Sequence, residues 1–324
     1  MFREPSAVKA QIGPVARKRK QALISLKALS LGYAVPRKDF DATIHSVFES
    51  AINLQITNES NLLTLFAGKE GDLPQGIRVD PPSDFDFGAF LPGQQVTCRQ
   101  ETLLGGSLTV ELHGAAIWKC DLPALRGDLT KPGVQGAWQE AWQALNKRQV
   151  LRGAEIVGEE LMRPDETRPP SVLSRMSHGI RGLLEATRQY DLSSGPSVGS
   201  MIGLGGGLTP SGDDILVGYL AGLWSTTNDS RKRTRSVVHL AEAVIGLSNR
   251  TNAISSTYLY HAARGQVSSR LAALATVICA GEAADSILPV AESAMQVGHT
   301  SGMDAVTGLL LGLAAWTDPP MFCG

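Results

Sequence analysis

The pattern of apolar and polar positions changes character part-way along the chain. From about residue 21 to residue 130, short runs of alternating or clustered β-forming residues are separated by Gly and Pro. The clearest of these runs are 61–66, 76–79, 95–98 and 107–112. Several short strands separated by turns predict a small barrel or sandwich. One helix is predicted inside this part, over residues 39–51, and it carries His45.

Residues 131–324 show instead the longer period of helices that bury one face. Helices are predicted at about 135–162, 171–190, 236–247, 258–264, 268–280, 282–297 and 303–316. A further helix is predicted after a glycine-rich segment. The fold class is therefore α+β, with a β-rich N-terminal domain followed by a mostly α-helical domain. Residues 1–20 are basic and poor in apolar side chains, which predicts a flexible arm, and residues 163–170 form a polar linker.

The glycine-rich segment 203–214 precedes an apolar run, 215–224, which is predicted to form a buried helix. Four of its first five residues are glycine, so the backbone can adopt positive φ and approach a ligand closely. Unpaired N–H groups and the positive end of the helix dipole favour an anion at such a helix start. The residues assigned to binding here are Gly205, Gly206, Gly207, Thr209, Ser211 and Gly212. Ser211 and Asp214 also fit a capping box, which would need no ligand.

Residues 301–312 repeat the pattern of residues 211–222: a Ser-Gly-x-Asp motif followed by two glycines at intervals of four. Residues four apart share one helix face, and glycine there lets another backbone come close. The two helices are therefore predicted to pack along these faces with their N-termini together. Asp214 and Asp304 would then flank one pocket, with Ser301 among the binding residues together with Gly302. The alternative is that both glycine stripes serve only tight helix packing.

A polar cluster at 250–257 is a third candidate for chemistry. Arg250 can bind a carboxylate or phosphate through two hydrogen bonds, and nearby hydroxyls can satisfy the remaining oxygens. The other binding residues assigned to this cluster are Thr251, Asn252, Ser255 and Ser256. The alternative is a helix N-cap with solvated neighbours. His299, just before the second Ser-Gly-x-Asp motif, could carry a proton or orient a substrate, or it could be a capping or packing residue.

Composition excludes some classes of function. The formal net charge is −1 and 43% of the residues are hydrophobic, so a nucleic-acid partner is not favoured. No apolar run reaches membrane-spanning length, and we expect no membrane association. The four cysteines lack metal-ligand spacing, which suits a reducing cytoplasm.

Three segments together, 205–214, 250–256 and 298–304, resemble a bacterial family that includes the H subunit of oxamate carbamoyltransferase from anaerobic allantoin catabolism. The likeness covers most of the chain from about residue 25 but is weaker before residue 200. Two positions depart from the family pattern: Gly206 stands where a proline or another small residue is expected, and Met303 where an aromatic residue is expected. The second departure bears on the lining of the pocket.

The resemblance implies phosphorolysis of oxalurate to oxamate and carbamoyl phosphate, or the reverse carbamoyl transfer. It implies a small anionic substrate, and as partners other subunits of a carbamoyltransferase complex or further copies of this chain. Asp214, Asp304 and His299 are the candidate catalytic residues. No cofactor is certain, but Asp213 and Asp214 could hold Mg²⁺, a usual companion of phosphates.

The two adjacent carboxylates pose an electrostatic problem, because within ~5 Å of a dianion they would repel it. Asp213 could point to solvent, a divalent cation could bridge carboxylate and phosphate, or one Asp could bind the amide NH₂ of the carbamoyl group. Two other classes of function remain open. One is a non-catalytic anion-binding scaffold or regulatory subunit. The other is a different phosphate-ligand enzyme, although the absence of a P-loop lysine disfavours nucleotides.

Overall fold

The computed structural model of the protein describes residues 24–68, 71–83, 85–162 and 171–317. The predicted basic arm 1–20 and the predicted linker 163–170 lie outside these ranges. Within the described ranges, no helix combines the length and the apolar character needed to cross a bilayer.

The N-terminal part is a closed barrel. Its strands are β1 (Ile24–Gly32), β2 (Phe40–Val47), β3 (Ala51–Ile56), β4 (Leu62–Ala67), β5 (Gly76–Val79), β6 (Gln95–Arg99), β7 (Thr102–Gly105), β8 (Leu108–Glu111) and β9 (Ala116–Trp118). The neighbours run β5-β4-β3-β2-β6-β7-β8-β1, and β1 also pairs with β5, which closes the ring. Strand β9 continues beside the end of β1. The α+β class is confirmed, and of the two predicted β architectures the barrel forms.

The predicted helix over 39–51 is wrong. Residues 40–47 form strand β2, and residue 51 already begins strand β3. Phe40, Ala42 and Ile44 are buried in alternation with the more exposed residues between them, which is the period of a strand. His45 lies exposed on this strand.

The C-terminal part is a helical bundle. Its helices are α1 (Pro132–Arg152), α2 (Gly158–Met162), α3 (Val172–Gln189), α4 (Gly195–Met201), α5 (Ser211–Ser225), α6 (Arg231–Leu247), α7 (Ala253–Ala262), α8 (Ser269–Ala280), α9 (Ala284–Met295) and α10 (Ser301–Ala314). Helices α5 and α10 are buried on nearly every side, as their uniformly apolar sequences require. Helices α1, α4, α6, α7, α8 and α9 pack against this central pair, and α2 packs against α1 and α3.

Two predicted helix bounds need correction. The single helix over 135–162 is two helices, because Gly153 ends α1 in a left-handed conformation at φ 60°. Helix α7 begins at Ala253 and not near residue 258. Asn252 caps it, since its side chain accepts the N–H groups of Ile254 and Ser255.

The barrel and the helices are joined by buried polar contacts. Thr257 of α7 accepts the backbone N–H of Leu62 on β4 over 3.0 Å. Asp72, before β5, and Ser269, at the start of α8, exchange two hydrogen bonds of 2.8 Å. These contacts fix one side of the barrel against α7 and α8.

Candidate functional site

A cleft of about 370 Å³ lies between the barrel and the helices. Strands β3 and β4 contribute Asn53 and Thr64, and the helical part contributes Asp214 and Tyr258. Most of the other lining side chains are apolar. Among the described residues that line it, none is Lys or Arg. The cleft therefore has the usual character of a small-molecule site, with apolar walls and few polar groups.

The two glycine stripes bring the starts of α5 and α10 together at this cleft. A Cβ atom on Gly218 would lie 1.9 Å from the carbonyl oxygen of Ala305, and one on Gly308 would lie 2.0 Å from that of Ile215. Only glycine permits this approach. The first glycine of each stripe meets early residues of the other helix, and the second glycine meets later residues. The two helices therefore run in the same direction, and their N-termini adjoin.

Asp214 lines the cleft where the two N-termini meet. The Thr209 hydroxyl donates to its Oδ2 over 2.8 Å, and the same hydroxyl lies 2.7 Å from the Ser301 hydroxyl of α10. Burial raises the pKa of Asp214 well above its ordinary value, and the nearby charge of Asp304 raises it further, against the Thr209 hydrogen bond. Ionisation of this carboxyl is therefore less favourable than that of an exposed aspartate.

Asp304 occupies the reciprocal place on α10. It is 3% exposed, and the nearby hydroxyls of Ser211 and Thr300 act to lower its pKa. Its Oδ2 is buried with no hydrogen-bond partner among the described residues. Burial raises its pKa to about 7. Each helix thus places an Asp beside the Ser that begins the other helix, but of the two carboxyls only that of Asp214 lines the cleft.

The capping box proposed as an alternative does not form. Pro210, not Ser211, occupies the N-cap of α5, and it has no side chain that could accept a hydrogen bond. The N–H groups of residues 212–214 donate to backbone carbonyls of Leu204 and Pro210. The start of α5 therefore offers an anion fewer backbone donors than the glycine-rich pattern predicts.

Asp213 points into the protein and not to solvent. It is 1% exposed, and its two oxygens accept the Gly203 N–H over 2.8 Å and the Thr251 hydroxyl over 2.5 Å. Burial raises its pKa, against the lowering effect of those hydrogen bonds. The carboxyl therefore ties the glycine-rich loop to the segment that leads into α7.

The glycine-rich loop has left-handed backbone at three of its four glycines. Gly203, Gly205 and Gly207 have φ of 73°, 114° and 92°. Gly206 does not share this conformation, and a Cβ atom there would meet nothing within 4 Å. Asn252, the α7 cap, also donates to the carbonyl of Leu208 at the end of this loop.

Two models of protein families match this chain. The AllH family N-terminal domain matches residues 24–117, and the oxamate carbamoyltransferase subunit AllH matches residues 201–313. The chain belongs to the AllH family. The first match covers the barrel, and the second runs from the end of α4 to the end of α10. No solved structure matches the chain.

Within the AllH match, the cleft takes in only some of the residues singled out from the sequence. Thr209, Asp214, Ser301 and Gly302 line it. Those that do not line it are Gly205, Gly206, Gly207, Ser211, Gly212, Asp213, Arg250, Thr251, Asn252, Ser255, Ser256, His299 and Asp304. Ser255 and Ser256 lie in the first turn of α7, where Ser255 is buried close to Asp213.

Arg250 and His299 are both exposed. The Arg250 guanidinium lies against α4, where a Cβ atom on Gly199 would be 3.1 Å from its Nη1. Neither side chain lines the cleft.

The cleft does not have the ligands of a magnesium site. Asp214 is the one acidic residue among the described lining residues, and both oxygens of Asp213 are engaged elsewhere. In the described part of the chain, no three His, Cys, Asp or Glu side chains are grouped so as to hold a metal ion. The donor set thus does not fit Mg²⁺, which takes octahedral oxygen ligands.

Two cleft residues, Tyr258 and His261, were missed from the sequence. With Ile254 they lie at intervals of four and three along α7 and so face the same side. This face becomes visible only once the helix is started at Ala253. Burial, together with the charge of Asp214, raises the pKa of Tyr258 to about 12. The phenol therefore stays protonated beside Asp214 and can donate a hydrogen bond.

Proposed function

We propose that this chain is a subunit of a carbamoyltransferase that acts on oxamate or oxalurate together with carbamoyl phosphate or phosphate. The ligand binds in the cleft between the barrel and the helices. Membership of the AllH family supports the reaction class. The observation that carries the placement is Asp214, a buried carboxyl at the meeting point of two helix N-termini that lines an otherwise largely apolar cleft.

The reaction joins an amide nitrogen to a carbamoyl carbon. The amide nitrogen of oxamate attacks the carbonyl carbon of carbamoyl phosphate, and a new C–N bond forms. The C–O bond to the phosphate breaks, phosphate leaves with the electron pair, and the nitrogen gives up a proton. Phosphorolysis of oxalurate is the same step in reverse.

Asp214 suits the nitrogen side of this step. A carboxyl accepts a hydrogen bond from an amide N–H₂ group, and one with a raised pKa can take up the proton as the C–N bond forms. Tyr258, which shares the cleft with Asp214, supplies a hydroxyl donor for a carbonyl oxygen. The charge of Asp304 supports this role, because it raises the pKa of Asp214.

Asp214 must be ionised to take up this proton, so it also repels a bound phosphate or carboxylate. The described lining contains no Lys or Arg to neutralise a phosphate. We therefore propose that the phosphate end is met by basic residues of another subunit.

The absence of Lys and Arg from the described lining also favours a second candidate function. A cleft without a cation could serve a subunit that binds the amide substrate and carries no catalytic group of its own. In that case the partner subunit performs the transfer.

The first experiment measures phosphate release from carbamoyl phosphate in the presence of oxamate. The full-length chain is assayed alone and in complex with the subunits that co-purify with it. We expect activity in the complex, and a loss of roughly 100-fold or more in Asp214→Asn, because the amide cannot accept the proton. Asp285→Asn, which changes an exposed carboxylate in the first turn of α9, is the matched control and keeps full activity.

The outcomes separate the two candidates. A complex in which Asp214→Asn raises the KM for oxamate but leaves kcat unchanged identifies a binding subunit. A complex that releases no phosphate with oxamate present argues against the proposed function. Unfolding of Asp214→Asn in denaturant checks that a loss of activity is not a loss of fold.

A further inference from the structure

His261 lines the cleft and has one unpaired ring nitrogen. The residue is 3% exposed and lines the cleft from the same face of α7 as Tyr258. Its Nδ1 lies 3.2 Å from the hydroxyl of Tyr33, in the connection after β1. Its Nε2 is buried and has no hydrogen-bond partner among the described residues. A buried polar atom without a partner is unfavourable, so a site that keeps one is a candidate for ligand contact.

The contact with Tyr33 bears on which ring nitrogen carries the proton. Burial raises the pKa of Tyr33, so its hydroxyl stays protonated and needs an acceptor. In the described structure, the contact found for this hydroxyl is Nδ1 of His261. If Tyr33 donates to Nδ1, the neutral ring carries its hydrogen on Nε2. This direction pairs the phenol hydrogen with an acceptor inside the protein.

The ring is neutral, and its surroundings explain why. Burial and the charge of Arg264 lower the pKa of His261 to about 4. Arg264 itself lies over the ring of Tyr260, 3.5 Å from its centroid, and Tyr260 meets the edge of His261. Tyr33, Tyr260 and Arg264 are the titratable or charged groups identified around the imidazole, and none is an acid that would favour the charged form.

We propose that His261 contacts the ligand, donating a hydrogen bond from Nε2–H to a carbonyl or carboxylate oxygen of a small amide bound in the cleft. Asp214 accepts from the amide N–H₂ group at the other end of the same molecule. The two residues together select a primary amide that also carries an oxygen acceptor, which is the chemical class of oxamate and oxalurate. This assignment rests on the proposed function for the identity of the substrate, although the contact itself does not.

Three probes separate the two ends of the ligand. Oxamate carries both an amide and a carboxylate, pyruvate replaces the amide by a methyl ketone, and oxamide replaces the carboxylate by a second amide. Their affinities are measured by titration calorimetry on the full-length chain and on its complex with co-purifying subunits. We expect wild-type protein to bind oxamate more tightly than pyruvate.

The variants are His261→Phe, His261→Gln, Tyr33→Phe and Asp214→Asn. We expect His261→Phe to weaken every probe by at least tenfold, because all three carry the oxygen that it contacts. His261→Gln keeps an N–H donor and retains more affinity than His261→Phe. Tyr33→Phe should weaken binding less, because it removes the hydroxyl that favours the Nε2–H tautomer but leaves the imidazole in place. Asp214→Asn weakens oxamate and oxamide and leaves pyruvate unchanged.

A matched control variant and a measurement on wild-type protein test the contact even if a buried substitution disturbs folding. His178→Gln changes an exposed histidine on α3 and leaves all three affinities unchanged. In wild-type protein, nitrogen-15 NMR of the histidine rings should show His261 as the Nε2–H tautomer. Its Nε2 resonance should shift on addition of oxamate.

The possible results distinguish this contact from the proposed function. If oxamate binds but neither His261 variant changes its affinity, the contact is wrong and the proposed function stands. If only oxamide binds and His261→Phe abolishes that binding, the contact stands and the proposed substrate is wrong. If no probe binds the chain or its complex, both are overturned.

Discussion

Gly218 of α5 and Gly308 of α10 each face the backbone of the other helix. A Cβ atom at Gly218 would lie 1.9 Å from the carbonyl oxygen of Ala305, and one at Gly308 would lie 2.0 Å from that of Ile215. The two helices therefore touch backbone to backbone, and their N-termini meet at the cleft. Any side chain at either glycine would push the helices apart.

We predict that Gly218→Ala and Gly308→Ala each destabilise the protein by about 3 kcal/mol or more, because the added methyl group overlaps a backbone atom that cannot move alone. Chemical denaturation measures the loss. Gly136→Ala is the control, since it lies within α1 and its Cβ atom would meet nothing within 4 Å. It should be neutral or stabilising by up to about 1 kcal/mol. A stable Gly218→Ala protein would show that the helices are farther apart.

Asp213 is predicted to matter for stability more than for chemistry. Asp213→Ala removes the acceptor of the Gly203 N–H and of the Thr251 hydroxyl, which should reduce the free energy of unfolding by about 2–3 kcal/mol. Asp285→Ala, at an exposed first-turn position of α9, should change it by less than about 0.5 kcal/mol. If Asp213→Ala is as stable as wild type but loses ligand or metal binding, Asp213 acts in the binding site, as the sequence suggested, and this prediction is wrong.

Asp304 makes stability depend on pH. Burial raises its pKa from 3.8 to about 7, so the folded state holds this proton more tightly than the unfolded state does. The resulting stabilisation is complete below about pH 4 and is lost as the pH rises to about 7, and it amounts to up to about 4 kcal/mol. Asp304→Asn cannot ionise, so its stability relative to wild type should increase between pH 4.5 and pH 8.

Urea unfolding at several pH values measures this difference. The pKa of Asp214 is raised in the same direction, so Asp304→Asn should flatten the pH profile only in part. Profiles of wild type and Asp304→Asn that run parallel over the whole range would contradict the prediction.

Thr257 is predicted to hold the barrel against the helices. Thr257→Val leaves the buried N–H of Leu62 without its acceptor and should cost about 1–3 kcal/mol. Thr276→Val on α8 is the control, because that hydroxyl bonds only within its own helix, to the carbonyl of Ala272. Unfolding followed separately by a probe in the barrel and a probe in the helices should show the two transitions moving apart in Thr257→Val. Coincident transitions of unchanged midpoint would exclude such a role.

The sequence predicted what depends on local pattern. The runs at 61–66, 76–79, 95–98 and 107–112 became strands, because β-formers bounded by turns determine a strand without distant help. The repeated Ser-Gly-x-Asp motif placed two helices face to face, since a stripe of glycine has an immediate geometric consequence. The error at 39–51 was one of period, because Phe40, Ala42 and Ile44 alternate as in a strand.

The cleft itself depends on contacts between distant parts of the chain. Asn53 and Thr64 come from the barrel and His261 comes from α7, and only the docking of the two parts brings them to one wall. Tyr33 and His261 share a hydrogen bond across most of the chain length. Arg250 shows the converse, because its neighbours in sequence suggested an anion site while its guanidinium lies against α4. No pattern within a short window carries this information.

Helices α5 and α10 are related by a local pseudo-twofold axis, but the residues that surround the pair do not follow this symmetry. Equivalent residues of the two motifs meet each other's helix in the same way, down to the Asp beside the opposite Ser. What surrounds the pair is unequal, with the barrel on the side of Asp214 and Glu155 near Asp304. One duplicated motif thus yields two carboxyls with different environments, one open to a ligand and one enclosed. Function can diverge between two such copies without any change in the residues that make them alike.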